Sequence, residues 1–236
     1  VSLLIIVASH RRSGTHWTID SLRHNCPDID KDCVNMDRLL SVHRDTITAD
    51  HFFSCTGKNT LVKTHSPSTL LPFQKDNKLK EIERPFYSSR KVYVVRDGRD
   101  VMVSLYYYLQ YMGIEFNSFS DFLRTNNEFD GYHMNRVFYW VLHVNSWLDV
   151  ADVIVRYEDL HNDYENTVKS TIDVLGLRVN PKVVPVMLNS VRSSAVFPRQ
   201  GMVGGWKKLF SSNDLEFFND TASLVMERLG YEGGTG

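Results

Sequence analysis

Six consecutive apolar residues, Leu3-Leu-Ile-Ile-Val-Ala8, run straight into a polar segment, Ser9-His-Arg-Arg-Ser-Gly-Thr-His16. A strand with one wet face alternates apolar and polar side chains, whereas a strand covered on both faces has no polar side to show. The unbroken run therefore predicts a buried parallel strand. Beyond Ser13-Gly14-Thr15, Trp17, Ile19 and Leu22 recur at helical offsets, which predicts a helix over His16–Arg23 that stops before Pro27. A strand, a short polar loop and a helix form a unit that needs further strands beside it.

The rest of the chain supplies them. Apolar strands are predicted at Thr60–Lys63, Lys91–Val95 and Val153–Val155. Helical spacing runs through Leu105–Met112, Asn135–Leu148, Tyr164–Leu175 and Asp214–Leu229, with Gly176 and Gly230 placed as C-terminal stops. Strands alternating with helices give an α/β fold, a central parallel sheet flanked by helices. With 236 residues and no linker or repeat, residues 1–236 read as a single domain. Segments 72–90 and 117–132 are polar and read as surface or lid segments.

Composition narrows the partners. Lys and Arg number 27 against 28 Asp and Glu, a formal net charge of -1, so the surface as a whole is no footprint for nucleic acid, although a local anion site fits. The six-residue apolar run is far too short to span a bilayer, which argues against a membrane partner. Three cysteines, Cys26, Cys33 and Cys55, lack both zinc spacing and disulfide density, so a reducing compartment, the cytoplasm, is expected and no metal site is.

Several segments offer chemistry. The loop Ser9–Trp17 leads into a helix N-terminus, where backbone N–H groups hold phosphate or sulfate. It is not a magnesium-nucleotide loop of the Gly-x4-Gly-Lys-Ser/Thr kind: it has one glycine, and Arg12 precedes it. Gly57-Lys58 fails too, with Phe52 at the first glycine position and Asn59 at the hydroxyl position. Lys63 and His65 stand at the carboxyl end of a strand, where open α/β sheets bind ligands, so His65 suits a base beside a cation. Arg96 closes the next strand and Ser104 lies early in the following helix, placed to clamp one phosphate. Tyr157 in Arg156-Tyr-Glu-Asp-Leu160 offers a planar ring, and Arg199-Gln-Gly201 brings a late arginine on a glycine-bearing segment. Read singly, each also fits a plain turn or a structural side chain.

Taken in order, the five segments resemble the sulfotransferases that use 3'-phosphoadenosine 5'-phosphosulfate (PAPS), especially the cytosolic type. Arg12-Ser-Gly-Thr-His-Trp17 resembles their 5'-phosphosulfate loop, Lys-Ser-Gly-Thr-Thr-Trp. Lys63-Thr-His65 resembles the segment with the catalytic histidine, and Arg96 with Ser104 the 3'-phosphate site. Tyr157-Glu-Asp and Arg199-Gln-Gly201 resemble the later Tyr-Glu-Asp and Arg-Lys-Gly motifs. The resemblance implies a P-loop-kinase-like fold and PAPS as co-substrate, with 3'-phosphoadenosine 5'-phosphate (PAP) as product. It implies that Arg12, Ser13, Gly14, Thr15 and His16 form the 5'-phosphosulfate loop, and that Arg96, Ser104, Arg199, Gln200 and Gly201 form the 3'-phosphate site. Trp17 and Tyr157 match the adenine contacts. His65 is then the base for a small-molecule hydroxyl or amine, with Lys63 and Arg12 stabilising the charge that develops.

Departures from the family pattern carry their own expectations. Arg12 replaces a lysine and stays charged, so it cannot act as a general acid. His16 replaces the second loop threonine, and Gln200 removes a positive charge from the 3'-phosphate site. Lys207 and Glu216 match the ends of a family dimer motif, but Ser211-Ser212 stand where Thr-Val is expected, which leaves a monomer or weak homodimer. Phe52, Phe53, Tyr106, Tyr107, Tyr108, Tyr111, Phe138 and Tyr139 are either acceptor-pocket wall or core, the commoner fate of aromatics at helical spacing. The competing readings are an adenine-nucleotide-binding protein without turnover and a nucleotide kinase-like phosphotransferase.

Overall fold

The computed structural model describes residues 3–38, 49–52, 57–70, 85–129, 131–186 and 201–231. Its centre is a sheet of parallel strands in the order β2-β3-β1-β4-β7: β1 (Leu4–Ser9), β2 (Ile29–Asn35), β3 (Asn59–Thr64), β4 (Arg90–Val95) and β7 (Val153–Arg156). Helices α1 (Thr15–Asn25), α2 (Gly98–Tyr111), α3 (Phe119–Arg124), α4 (Arg136–Leu148), α5 (Tyr157–Asn162), α6 (Tyr164–Val174) and α7 (Ser212–Arg228) surround it. A short antiparallel hairpin, β5 (Asn127–Phe129) with β6 (Tyr132–Met134), precedes α4.

The reason for the unbroken apolar run is visible in the two cores. Leu4, Ile6 and Ala8 face a cluster built with Val101, Trp140, Val144 and Phe218 from α2, α4 and α7. Ile5 and Val7 face the opposite cluster, with Trp17, Leu22, Val155 and Ile172. Burying each such aliphatic side chain contributes about 1.5–3 kcal/mol, so both faces of β1 hold the layers together.

Register decides where chemistry sits. Ala8 pairs with Thr64 and with Tyr93, and Val95 pairs with Arg156, so β1, β3, β4 and β7 end along one sheet edge. The residues that follow these strands, His10, His65, Arg96 and Tyr157, all emerge at that edge. It is the carboxyl edge, the ligand-binding side of an open parallel sheet.

Three features depart from the sequence reading. Strand β2 is absent from it: Ile29-Asp-Lys-Asp-Cys-Val-Asn35 is an edge strand with an irregular register between Ile29 and Cys33, and its charged, half-exposed pattern hides it. Helix α2 already begins at Gly98, because Asp97 caps it by accepting the Arg99 N–H at 2.9 Å. Segment 117–132 contains α3 and strand β5 and runs into β6, with Phe119 and Phe122 buried. Residues 72–84 of the other predicted surface segment lie outside the described residues. Gly176 and Gly230 both take left-handed φ values, +70° and +71°, as helix stops require. Among the described residues no helix is long and apolar enough to cross a membrane.

Candidate active site

The loop after β1 is shaped by two left-handed residues, Arg12 (φ +72°) and Gly14 (φ +96°). At Gly14 a Cβ would stand 2.5 Å from Cδ2 of Tyr157, so only glycine fits between the loop and that ring. The chain then enters α1, whose first turn carries no acidic residue and whose leading N–H groups lack intrahelical acceptors. Ser13 Oγ is buried with no hydrogen-bond partner among the described residues. An unpaired hydroxyl beside free helix N–H groups is a cradle for an oxyanion.

His65 is the first residue past β3. Its Nδ1 lies 2.8 Å from the Ser9 carbonyl, which only accepts, so Nδ1 carries the proton and Nε2 keeps its lone pair. Burial, followed by the positive charge of Lys63, pushes its pKa down to about 3, which leaves the ring uncharged at neutral pH. The Ser9 hydrogen bond opposes that shift, and the Arg11 and His10 charges add to it. Asp37 accepts both the His65 N–H (2.9 Å) and the Thr64 hydroxyl (2.7 Å). Lys63 is buried at the end of the strand, between Val7 on β1 and Asn35 on β2.

Arg96 leaves β4 buried. It donates to the Arg12 carbonyl (3.2 Å) and to the Met202 carbonyl (2.8 Å), and lies over the Tyr157 ring at 4.4 Å. Its Nε has no partner among the described residues. Arg12 in turn donates from Nε to Ser104 Oγ (3.1 Å) and lies over the Tyr108 ring at 4.9 Å. A small cleft beside Arg96 is lined by Arg96, Asp100, Ser104 and Gly201. Asp100 ties the chain beyond Gly201 in place, accepting from the N–H groups of Gly204 (2.7 Å) and Trp206 (2.9 Å). Burial pushes its pKa up, against the pull of Arg96 and these N–H groups.

On the far side of the loop, Trp17 is buried with its indole N–H on the Val186 carbonyl at 2.8 Å. Around it stand Tyr157 (5.5 Å between rings), His161 (4.8 Å) and Tyr164 (6.0 Å), and the Tyr157 hydroxyl donates to the Gly201 carbonyl at 3.1 Å.

The structure thus brings together Arg12, Ser13, Gly14, Thr15, Trp17, Lys63, His65, Arg96, Ser104, Tyr157 and Gly201 at one edge. His16 is half-buried at the second position of α1. Arg199 and Gln200 lie outside the described residues, as does Phe53. Of the aromatics, Phe52 is core, Tyr106 packs on Phe116, Phe119 and Phe122, and Tyr111 and Phe138 are exposed. Asp37, Asp100, His143 and His161 escape a sequence reading. Only His161 leaves a trace there, four residues after Tyr157 on one helix face. Among the described residues no group of three or more His, Cys, Asp or Glu is placed to hold a metal ion.

Comparison with known proteins gives this geometry a context. Residues 4–230 match the family described as sulfotransferase domain. The 3-alpha-hydroxysteroid sulfotransferase of Cavia porcellus is 24% identical over 257 residues, covering 91% of this chain and 80% of that protein. The crystal structure of a mouse sulfotransferase complexed with PAP superposes with a TM-score of 0.63 at 20% identity, covering 95% of this chain and 85% of its own. A sulfotransferase from Alicyclobacillus acidocaldarius gives a TM-score of 0.60 at 15% identity, covering 98% and 97%.

Proposed function

This chain belongs to the sulfotransferase domain family, and from that premise we propose that it transfers a sulfuryl group from PAPS to the hydroxyl or amine of a small-molecule acceptor, with His65 as general base. One observation carries the assignment of the base: the His65 ring is locked by its Nδ1–H on the Ser9 carbonyl, leaving a neutral Nε2 at the edge where the loop and Arg96 converge. A neutral imidazole with one fixed tautomer is ready to take a proton at Nε2.

The residues present fit PAPS. Ser13 Oγ, buried and unpaired, and the N–H groups of the first turn of α1 suit its 5' end, and Arg96 Nε with the Ser104 hydroxyl suits a 3'-phosphate. Trp17 and Tyr157 suit the adenine, and Gly201 with the preceding Arg199 and Gln200 completes the 3' side in our reading. Bound there, PAPS supplies the activated sulfuryl group. Lys63 and Arg12 set fixed positive charge beside the reacting oxygens, which stabilises negative charge as it moves to the leaving phosphate. Arg12 does so without donating a proton. Our reading needs no metal, since Arg12, Lys63 and Arg96 supply the charge.

We read residues 1–236 as one domain, acting in the cytoplasm as a monomer or weak homodimer, with no nucleic-acid or membrane partner. The reducing setting fits the buried free thiol of Cys26. The monomer reading draws on Ser211, whose hydroxyl is engaged with Asp214 in the cap of α7.

Calorimetric titration with PAP, ATP and adenosine 5'-phosphosulfate, all without magnesium, tests the nucleotide half. Preference for PAP supports the reading, and tighter binding of ATP in a parallel titration with magnesium refutes it in favour of a phosphotransferase. Radiolabelled PAPS with a panel of phenols, hydroxysteroids and amines tests the transfer half. His65→Ala should keep PAP affinity and lose turnover by roughly a hundredfold or more; unchanged turnover removes His65 from the base role. PAP binding without transfer to any acceptor would favour a binding protein.

A further inference from the structure

His65 sits just beyond the last paired residue of its strand, so something other than the sheet must hold it. Helix α4 presents His143, Ser146 and Trp147 on one face, the i, i+3, i+4 spacing that points side chains the same way. All three engage the four residues from His65 to Ser68. His143 Nε2 lies 3.1 Å from the His65 carbonyl, Trp147 Nε1 donates to the Ser66 carbonyl at 3.0 Å, and the Ser68 N–H donates to Ser146 Oγ at 3.0 Å. The Ser68 hydroxyl also donates to the Ser146 carbonyl.

The histidine in this row is unlike its neighbours, because it reaches the loop as well. The His65 carbonyl only accepts, so His143 carries its proton on Nε2, and its bare Nδ1 accepts from the Tyr93 hydroxyl at 3.0 Å. The Tyr93 oxygen in turn accepts the backbone N–H of His10, the first residue after β1, on the way into the loop. Both Tyr93 and His143 are wholly buried. A continuous path of hydrogen bonds therefore runs from the loop, through Tyr93 and His143, to the peptide of the base. The backbone of His65 is gripped on both sides, by Asp37 on its N–H and by His143 on its carbonyl.

Resting on the sulfotransferase reading above, we propose that His143, oriented by Tyr93, is a positioning residue that sets His65 at a fixed separation from the 5'-phosphosulfate loop. His143 touches no reacting atom in this scheme. Its hydrogen bonds remove the freedom of the His65 peptide, so that the Ser9 contact can select one ring tautomer and aim Nε2. The groups facing His65 are Lys63, Arg11, His10 and His143, and those facing His143 are His10 and His65. Displacing a base by about 1 Å is enough to lose on the order of a hundredfold in rate.

His143→Leu, His143→Gln and Tyr93→Phe test this. Gln keeps a donor for the His65 carbonyl, and Tyr93→Phe removes one hydroxyl. Long-range proton–nitrogen spectra of the histidine rings need no acceptor. They should show one Nδ1–H tautomer for His65 in the parent protein, a mixture titrating nearer the ordinary range in His143→Leu, and the parent pattern again in His143→Gln. With PAPS and a 3α-hydroxysteroid as probe acceptor, kcat should fall roughly ten- to a hundredfold in His143→Leu, with PAP affinity and KM for PAPS within about twofold. A folded His143→Leu with the parent tautomer and parent kcat overturns the proposal. Should that variant fail to fold, Tyr93→Phe decides: a smaller loss of kcat with a shifted His65 titration supports the path, and no change in either refutes it. A parent protein that binds no PAP sinks the functional reading instead, and the ring spectra still judge His143.

Discussion

Acid should unfold this protein far more steeply than its near-neutral composition implies, because three histidines are held uncharged together. His10, His65 and His143 meet at the carboxyl edge, with the His10 and His143 rings 5.5 Å apart. Burial comes first among the causes in each case. It pushes His10 down to about 4 and His65 to about 3, and holds His143 well below the usual range. The unfolded chain takes up a proton near pH 6.5 at each site, whereas the folded protein does so only at much lower pH. The unfolded state thus binds more protons through that window, and stability falls as pH drops. For His10, integrating from pH 7.5 to pH 5 gives a loss of about 2 kcal/mol. His65 contributes a similar amount, and His143 acts in the same direction. The loss of about 4 kcal/mol from His10 and His65 alone approaches the whole stability of many domains, about 5–15 kcal/mol. Urea unfolding monitored by circular dichroism between pH 7.5 and pH 5 measures it, above the range where most carboxylates titrate. His10→Asn retains a donor toward the Arg11 carbonyl, which His10 Nδ1 meets at 2.9 Å, and removes one titrating ring. That variant should lose about 2 kcal/mol less across the same interval, whatever its stability at pH 7.5. A parent protein whose urea midpoint is flat from pH 7.5 to pH 5 would refute the reasoning.

Two glycines separate function from stability. Gly14→Ala must place a Cβ against Tyr157 at φ +96°, so PAP affinity, read by calorimetry, should drop at least tenfold while α1 and the sheet stay folded. Gly98→Ala would meet Phe218 and Trp140 ring atoms at 2.8 and 2.9 Å inside the core, so it should destabilise the fold by about 1–3 kcal/mol in thermal unfolding. Arg96→Gln removes a buried guanidinium with a free Nε. It should weaken PAP binding by roughly 1.5–3 kcal/mol while leaving adenosine 5'-phosphosulfate binding much less affected, and an equal loss for both ligands would count against a 3'-phosphate role.

The parts of the fold that were legible in the sequence share one physical property: they are buried on both sides. Leu4–Ala8 and Val92–Val95 are apolar because no face of either stretch meets water, and that leaves a mark any reader can see. Strand β2 meets water, carries Asp30, Lys31 and Asp32, and left no such mark. The candidate site divides in the same way. Arg12, His65, Arg96 and Tyr157 were legible because each follows directly on a strand end or sits in a short loop. His143 and Tyr93 were not, since a histidine on a largely apolar helix and a tyrosine in an apolar strand look like core. Only tertiary structure reveals that their polar atoms face each other.

Ser104 shows how the contacts refine a role read from sequence. Its position pointed to the 3'-phosphate beside Arg96, yet its oxygen accepts the Arg12 Nε–H at 3.1 Å, a contact with the 5' loop. The two roles are compatible, because a hydroxyl accepts through a lone pair and keeps its proton to donate. Arg96 has the matching double allegiance: its Nη1 holds the Arg12 carbonyl while its Nε stays unpaired. Arg12 is therefore fixed through its side chain by α2 and through its backbone by Arg96, which explains how a non-glycine residue is kept at φ +72°. A lysine in its place would carry the charge without the guanidinium N–H that reaches Ser104. On the proposed reading, arginine in place of the lysine of the sulfotransferases that this chain resembles gives up a transferable proton and gains a link between the loop after β1 and helix α2.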